Sequence, residues 1–162
     1  MRTRPAQLQD AEVIRAIYNA EVSGSVSTFD LVQRSIQDQL DWLIEHSGGH
    51  PAIVAENSDG AVVGFGSLSP YKQRPAYATT VEDSIYVHID HRGQGVGRLL
   101  LDDLVATAAG HGFHSVIARI GDHNSASVDL HRRANFELVG VEKEVGRKFG
   151  QWLDVVIMQL RL

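Results

Sequence analysis

The sequence predicts an α/β protein built on a central mixed sheet, and three observations lead to this fold class. Strand and helix patterns alternate in the middle of the chain, whereas strand patterns follow one another directly near both ends. A doubly wound parallel sheet would alternate throughout, so some strands must run antiparallel. A glycine-rich loop, RGQGVGR at 92–98, joins a strand pattern to a helix pattern. We therefore expect a mixed, mostly antiparallel sheet flanked by about four helices.

Hydrophobic spacing and turn residues place the elements in order. Asp10 can cap a helix that runs to about Ser23, and Ser35 begins a second helix that ends at Gly48 and Gly49. Two strands within 51–69 are joined by a turn at 58–60. The remaining predicted elements are a strand over Thr80–Ile89, a helix to Gly110 or Gly112, a strand over 114–120, a helix over 124–136, strands near Glu137–Lys143 and Trp152–Leu160, and one further strand at the amino terminus.

Composition narrows the class of protein. The 162 residues fit a single domain over 1–162, with 43% hydrophobic and 22% charged residues. Without cysteine there is no disulfide, thiolate nucleophile or cysteine-bound metal, and together with the lack of a signal sequence this favours a cytoplasmic protein. A net charge of −5 argues against nucleic acid as a partner. No apolar run is long enough to cross a membrane.

The glycine loop predicts a phosphate site. Its residues are Arg92, Gly93, Gln94, Gly95, Val96, Gly97 and Arg98. A helix start offers unpaired backbone N–H groups and partial positive charge, glycine lets an anion approach the main chain, and arginine adds forked donors. The alternative is a tight turn that needs glycine for its backbone angles alone. The spacing fits neither the dinucleotide fingerprint nor the P-loop.

Four stretches resemble one family. The segment RGQGVG resembles the acetyl-CoA pyrophosphate loop of the GCN5-related N-acetyltransferase (GNAT) superfamily. Three more resemble its phosphinothricin and methionine sulfoximine N-acetyltransferase branch, and they read SLSPYKQRPAYATTVEDSIYVHIDHRGQGVG, NSASVDLHRRANFELVG and EVGRKFGQWLDVVIMQL. The resemblance covers essentially the whole chain. It implies the GNAT fold, acetyl-CoA as co-substrate and a small amino-acid-like amine as acceptor.

Acetyl transfer to an amine needs a base, donors for an oxyanion and a way to release the thiolate. Glu82 is the candidate base, because burial or the neighbouring Asp83 would raise its pKa, although a solvent-facing strand glutamate would look the same. Backbone groups of Tyr86, Val87 and His88 can meet the thioester and the pantetheine arm, with the Val87 N–H as oxyanion donor. No cysteine is present to form an acyl-enzyme, so we expect direct transfer in a ternary complex.

The resemblance assigns further roles. It makes His131 either the acid for the coenzyme A thiolate or an aid to deprotonation, whereas a lone helical histidine more often serves packing. It places Asn124 and Ser127 beside the pantetheine arm, although Asn124 can also simply cap the helix that follows it. The loop ending Ala134-Asn135-Phe136 departs from the family's Leu-Gly-Phe, a mild change because asparagine tolerates left-handed backbone.

The acceptor site is also inferred from the resemblance. Lys72, Arg74 and Tyr77 correspond to the family's R-x-R-P-A-Y, and lysine in place of the first arginine lacks the bidentate fork for a carboxylate. Thr28 and Phe29 would wall the pocket. Residues 147–154 would lie near a homodimer interface. Each of these also has a purely structural interpretation, as a soluble loop, a loop anchor or a terminal hairpin.

Two other activities and one negative expectation remain. The chain could instead acetylate peptide or protein amino termini, or it could be a non-catalytic acyl-CoA sensor that does not depend on Glu82. The histidine pairs 88/91 and 111/114 lack a third ligand at telling spacing, so we expect no metal.

Overall fold

The computed structural model describes residues 1–162 and shows a seven-stranded sheet flanked by four helices. Six of these elements precede the glycine loop in the chain, and five follow it. In chain order they are β1 (Arg2–Pro5), α1 (Ala11–Gly24), α2 (Ile36–Glu45), β2 (Ala52–Glu56), β3 (Val62–Pro70), β4 (Thr80–Val87), α3 (Val96–Gly110), β5 (Ser115–Gly121), α4 (Ser125–Arg133), β6 (Glu137–Lys148) and β7 (Gln151–Arg161).

The sheet is mixed, as predicted, and mostly antiparallel. Its strand order is β1-β2-β3-β4-β5-β7-β6, and only the β4–β5 pair is parallel. One large apolar cluster lies between the sheet and α3, with Leu100, Leu101 and Leu104 at its centre. A second lies on the α1 side around Ile14, Tyr18 and Phe65. The helices therefore cover both faces of the sheet. None of them is both long and apolar enough to span a bilayer.

Two local predictions about the ends of helices are confirmed. Ser35 caps α2 in a reciprocal capping box with Asp38, which satisfies two helix-end donors. Asn135 adopts left-handed backbone with φ of +68°, which explains why asparagine can stand at this turn.

Three predictions differ from the structure. Asp10 does not cap α1 with its side chain, because its carboxylate instead accepts from the Arg4 guanidinium at 2.7 and 2.9 Å. Helix α2 ends at Glu45, before the predicted end at Gly48 and Gly49. Strand β6 continues past residue 143 to Lys148, because a register shift between Glu142 and Gly146 lets pairing with β7 resume.

Candidate active site

The strand pair β4–β5 opens in the middle of the sheet. The two parallel strands are paired from Thr80 with Ser115 to Asp83 with Ala118, and no further. Beyond that point β4 stays on β3 up to Val87, while β5 stays on β7 up to Gly121. The backbone groups of β4 that face the gap therefore have no strand partner. A cavity of about 800 Å³ fills the opening and extends to the glycine loop.

The glycine loop forms the mouth of this cavity. Gly93 and Gly95 have φ of +72° and +85°, which other residues rarely adopt. A Cβ at either position would meet nothing within 4 Å, so the backbone is also open to a ligand. Gly95 is the N-cap of α3, whose first N–H groups have no intrahelical partner. The loop thus combines a turn that needs glycine with a helix start accessible to an anion.

The two arginines beside the loop are already paired within the chain. The Arg92 guanidinium pairs with Glu21 of α1 and donates from Nε to the Val87 carbonyl at 3.2 Å. Arg98 Nε lies 2.8 and 2.7 Å from the Asp102 carboxylate oxygens, and its Nη1 donates to the Arg133 carbonyl at 2.8 Å. Both line the cavity, but their charges are shared with carboxylates. The backbone N–H groups of the loop are therefore freer to meet an anion than the two arginine side chains are.

Among residues 86–88 at the end of β4, one backbone N–H group faces the gap. The His88 N–H donates to the Val63 carbonyl of β3 at 2.9 Å, so it is not free for a ligand. Because N–H groups alternate along a strand, that of Tyr86 also points to β3 and that of Val87 points away, toward the opening. The Tyr86 side chain packs edge-on against Tyr18 and stacks with Phe65. Of the three predicted backbone contacts, Val87 is the one whose N–H faces the cavity.

Glu82 pairs with Ile117 one residue before the strands part, and it is not among the residues that line the cavity. Its side chain lies on the sheet face opposite that of Asp83, because neighbouring side chains alternate along a strand. Burial raises the pKa of Glu82, the positive charge of Arg119 partly offsets this, and the charge of Asp83 adds to the rise. From the sequence, burial and the neighbouring carboxylate are the causes expected to raise the pKa of Glu82. Both are present in the structure. A carboxyl group with a raised pKa accepts a proton more readily near neutral pH.

His131 lies on the other face and forms a buried pair with Asp83. Its Nδ1 donates to the Ser127 carbonyl at 2.7 Å, and its Nε2 lies 3.0 Å from Asp83 Oδ2. Burial lowers the pKa of His131, but the hydrogen bond and charge of Asp83 and the Ser127 carbonyl outweigh it and raise that pKa overall. The second Asp83 oxygen, Oδ1, is buried without a partner. Both ring nitrogens of His131 are therefore engaged by the protein.

Asn124 and Ser127 form the amino-terminal end of α4 and line the same cavity. The Asn124 side chain accepts from the Ser127 N–H at 3.2 Å, so asparagine caps the helix as one of its two interpretations predicts. Its side-chain NH₂ group makes no bond within the chain and remains available to a ligand.

Thr28 and Phe29 are held against β5 and β6, and neither is among the residues that line the main cavity. Thr28 is buried and bonds Tyr18 through its hydroxyl at 2.8 Å, and its carbonyl accepts from Lys148 Nζ at 2.8 Å. The Phe29 ring lies over Gly146 of β6 and Gly121 of β5, where a Cβ on either glycine would collide with it. Burial lowers the pKa of Lys148. Two glycines and one buried lysine thus fix this segment beside the end of β5.

Lys72, Arg74 and Tyr77 lie together but apart from the main cavity. With Gln73 they line a separate hollow of about 560 Å³ on the loop between β3 and β4. Lys72 Nζ is 4.8 Å from the Tyr71 ring centroid and 5.2 Å from that of Tyr77, within the range of a cation–π contact. The structure groups the three residues as predicted, without bringing them to the cavity at the glycine loop.

The residues of the stretch 147–154 differ in their exposure and contacts. Phe149 and Trp152 are each 59% exposed at the turn of the β6–β7 hairpin, whereas Lys148 is buried. Asp154 accepts from His123 at 2.8 Å and from the Glu144 N–H at 2.9 Å, and these bonds together with Lys143 hold its pKa well below the ordinary range. It thereby fixes the loop that leads into Asn124.

Three residues that the sequence did not single out belong to this site. Asp83 was noted only as a neighbour of Glu82, Arg119 stands within a buried strand, and Arg133 follows a helical histidine. One signal was available for Arg119, since it is the only charged residue in the strand SVIARIG. For the other two, the sequence gives no indication of the direction in which the side chain points.

An open parallel strand pair, a helix start accessible to an anion and a desolvated carboxyl group fit a transferase for an acyl donor that carries phosphate groups. The sequence model of the Acetyltransferase (GNAT) family matches residues 14–136. The chain therefore belongs to the GNAT family and is an N-acetyltransferase.

Individual relatives cover nearly the whole chain. An L-methionine sulfoximine/L-methionine sulfone acetyltransferase of Pseudomonas aeruginosa is 37% identical over 98% of this chain and 93% of its own. The solved phosphinothricin acetyltransferase of Sinorhizobium meliloti in complex with AcCoA has a TM-score of 0.96 and 37% identity over 99% and 87%. A ribosomal-protein-alanine N-acetyltransferase of Brucella melitensis has a TM-score of 0.97 and 36% identity over the full length of both chains.

Proposed function

We propose that the protein transfers the acetyl group of acetyl-CoA directly to the α-amino group of small amino-acid-like acceptors, with phosphinothricin, methionine sulfoximine and methionine sulfone as the leading candidates. The observation that carries this proposal is the cavity where β4 and β5 part, which runs from the glycine loop to the strand of Glu82. The relatives named for these acceptors support the substrate class.

The acetyl-CoA site would follow the cavity. Backbone N–H groups of Gly93 to Arg98 would bind the pyrophosphate, and Gln94 would keep the turn through its bond to the Asp90 carbonyl at 3.0 Å. The unpaired edge of β4 and the free NH₂ group of Asn124 would bind the amides of the pantetheine arm. The Val87 N–H would then meet the thioester carbonyl oxygen at the open end of the strand.

The proposed transfer needs one base and one oxyanion donor. The Glu82 carboxylate takes a proton from the acceptor ammonium, through one water. The amine nitrogen attacks the thioester carbon, and the Val87 N–H stabilises the oxygen that gains the electron pair. Collapse re-forms the carbonyl bond and breaks the carbon–sulfur bond, and the second proton of the nitrogen passes through water to the departing coenzyme A sulfur, which leaves as the thiol. His131 could protonate the thiolate only by giving up its bond to Asp83 or Ser127.

The acceptor would lie against the segment of Thr28 and Phe29, on the sheet face of Glu82. Lys72, Arg74 and Tyr77 supply a basic hollow on the neighbouring loop for the polar tail of the acceptor, such as the phosphinate of phosphinothricin. Lysine at 72 offers a point charge rather than a fork, so orientation there would depend on Arg74.

We also propose a homodimer formed around residues 147–154. Phe149 and Trp152 leave two aromatic rings exposed on the hairpin, and the Arg147 guanidinium carbon lies 4.7 Å from the Trp152 ring centroid. Light scattering after gel filtration measures the molar mass in solution. We expect the mass of a dimer for the wild type and that of a monomer for Trp152→Glu.

The test of function is thiol release from acetyl-CoA against the three acceptors and a short peptide with amino-terminal alanine. Turnover of the small acceptors, lowered by Glu82→Gln about 10²- to 10⁴-fold, is expected. The Brucella melitensis structure makes peptide acetylation the second candidate, and turnover of the peptide alone would establish it. Acetyl-CoA binding without turnover of any amine would favour a non-catalytic acyl-CoA sensor.

A further inference from the structure

Arg119 occupies an unusual place in the sheet. It is the one charged residue of β5, a strand whose neighbours from Ser115 to Ala118 are all buried. Unlike those neighbours, Arg119 itself is exposed. Arg119 lines the main cavity, and its side chain is 33% exposed there.

The register places Arg119 on the face of the proposed base. Glu82 pairs with Ile117 across the parallel strands, so both side chains project to the same side of the sheet. Arg119 follows Ile117 by two residues and therefore projects to that side as well. Its charge acts on Glu82 in the direction that favours the ionised carboxylate.

The acceptor segment borders the same face. Gly121 lies two residues beyond Arg119, and a Cβ there would be 3.0 Å from the Phe29 ring. Along β5, Arg119 thus stands between the level of Glu82 and the wall formed by Phe29. An α-amino acid with its amine near Glu82 would carry its carboxylate within one carbon atom of that amine, at this level of the strand.

The guanidinium has donors to spare. Its Nη2 donates to Glu142 Oε2 at 2.8 Å, and the second contact, from Nη1 to Oε1, is long at 3.5 Å. Arginine has five N–H donors, so at least three remain, including the Nε–H edge. Both side chains of the pair are partly exposed, which makes it a weak ion pair that a ligand can share or displace.

The other cations fit this role less well. Arg92 and Arg98 are paired with Glu21 and Asp102 at the glycine loop. Arg133 lies on α4 with His131, on the face of Asp83, and Lys72 and Arg74 line the separate hollow. Arg119 is the cation of the main cavity that shares the face of Glu82 at the strand opening.

We propose that Arg119 binds the α-carboxylate of the acceptor and so selects amines that carry a free carboxylate over amines that lack one. This inference rests on the proposed function, because it takes the amine to lie at Glu82. Glu142 would hold the guanidinium in place when no acceptor is bound.

The test compares L-methionine sulfone with its carboxamide. Calorimetry of each compound binding to the protein with coenzyme A bound gives an affinity ratio, and thiol release from acetyl-CoA gives a ratio of kcat/KM. We expect the wild type to favour the acid by about 10- to 100-fold, the range of a hydrogen-bonded charge. Arg119→Gln should abolish the preference, and Arg119→Lys should keep part of it, since it keeps the charge without the fork.

Two further variants sharpen the result. Glu142→Gln frees the guanidinium and should keep or increase the preference, whereas Arg74→Gln should retain it. A preference that survives in Arg119→Gln, or that disappears in Arg74→Gln alone, would overturn the proposal. Unchanged acetyl-CoA affinity in all variants shows that they fold. Carboxylate-selective binding without turnover would leave Arg119's role standing while the proposed reaction fails.

Discussion

His131 Nε2 lies 3.0 Å from Asp83 Oδ2, and the two buried side chains join α4 to β4 at the last residue where β4 still pairs with β5. The other ring nitrogen bonds the Ser127 carbonyl within α4, which fixes the orientation of the ring. The pair thus sets the distance between the end of α4, with Asn124 and Ser127, and the free edge of β4. We regard it as a positioning contact for the cavity rather than a proton donor aimed into it.

Asp83→Asn should remove a pH-dependent part of the stability. The folded-state pKa of His131 is raised above its unfolded value of about 6.5, so the pair stabilises the protein fully below that pH. The contribution is lost as the pH rises through the folded-state pKa. We expect Asp83→Asn to lower the free energy of unfolding at pH 6 by about 1–3 kcal/mol and to flatten this dependence.

Urea unfolding between pH 5.5 and 9 measures the effect. Asp129→Asn, which removes an exposed pair with Arg132, is the matched control and should change the unfolding free energy by less than about 0.5 kcal/mol. Parallel pH curves for the wild type and Asp83→Asn would contradict the ion-pair assignment.

The acid limb of the pH–rate profile should belong to Glu82. A base must be ionised, so kcat/KM should fall as the pH drops through the pKa of Glu82, which burial places above the ordinary glutamate value. Glu82→Asp should keep an acid limb at lower activity, and Glu82→Gln should lack it. An acid limb retained in Glu82→Gln would assign the base to another group.

Gly146→Ala should damage acceptor binding without affecting the acetyl-CoA site. The new methyl group would overlap the Phe29 ring, whose Cδ2 and Cζ would lie 2.8 and 2.9 Å away. We expect the KM for the acceptor to rise about tenfold, since the ring must leave its place, and the Kd for acetyl-CoA to stay unchanged. Gly140→Ala on the same strand meets nothing within 4 Å and serves as the control. Equal effects of the two substitutions would exclude Phe29 from the acceptor wall.

Gly95→Ala should weaken acetyl-CoA binding. At φ of +85° a side chain costs about 1–2 kcal/mol, and relief of that strain would turn the first N–H groups of α3 away from the cavity. An increase in Kd of about tenfold or more, measured by calorimetry, is expected. Gly110→Ala at the other end of α3, in open space, should bind normally. Normal binding by Gly95→Ala would argue against the loop as the phosphate site.

The sequence predicted most of the fold because its strands and helices carry regular apolar spacing and clear turn residues. The capping role of Ser35 and the left-handed Asn135 followed from local chemistry alone. The length of β6 did not, because the irregular register at 142–146 depends on pairing with β7. Asp10 stands at the N-cap position of α1 as predicted, but its side chain makes no capping bond there and pairs with Arg4 instead.

The sequence predicted several residues of the candidate site, but not which of them contact one another. The glycine loop and Glu82 could be proposed from residue types and resemblance. The pairing of Arg92 with Glu21 and the separation of Lys72 and Arg74 from the main cavity depend on which strands lie side by side. The same holds for Arg119. Its charge within an apolar strand pattern makes it stand out in the sequence, but the sequence does not show what it faces.

The most direct measurement is the steady-state rate of methionine sulfone acetylation by the wild type and Glu82→Gln, with the Kd for acetyl-CoA measured for both. The account predicts rapid acetylation by the wild type, a fall of about 10²- to 10⁴-fold in kcat/KM for Glu82→Gln, and equal acetyl-CoA affinity. Wild-type turnover that Glu82→Gln leaves unchanged would contradict the assignment of the base, and the lack of any wild-type turnover would contradict the proposed acceptor.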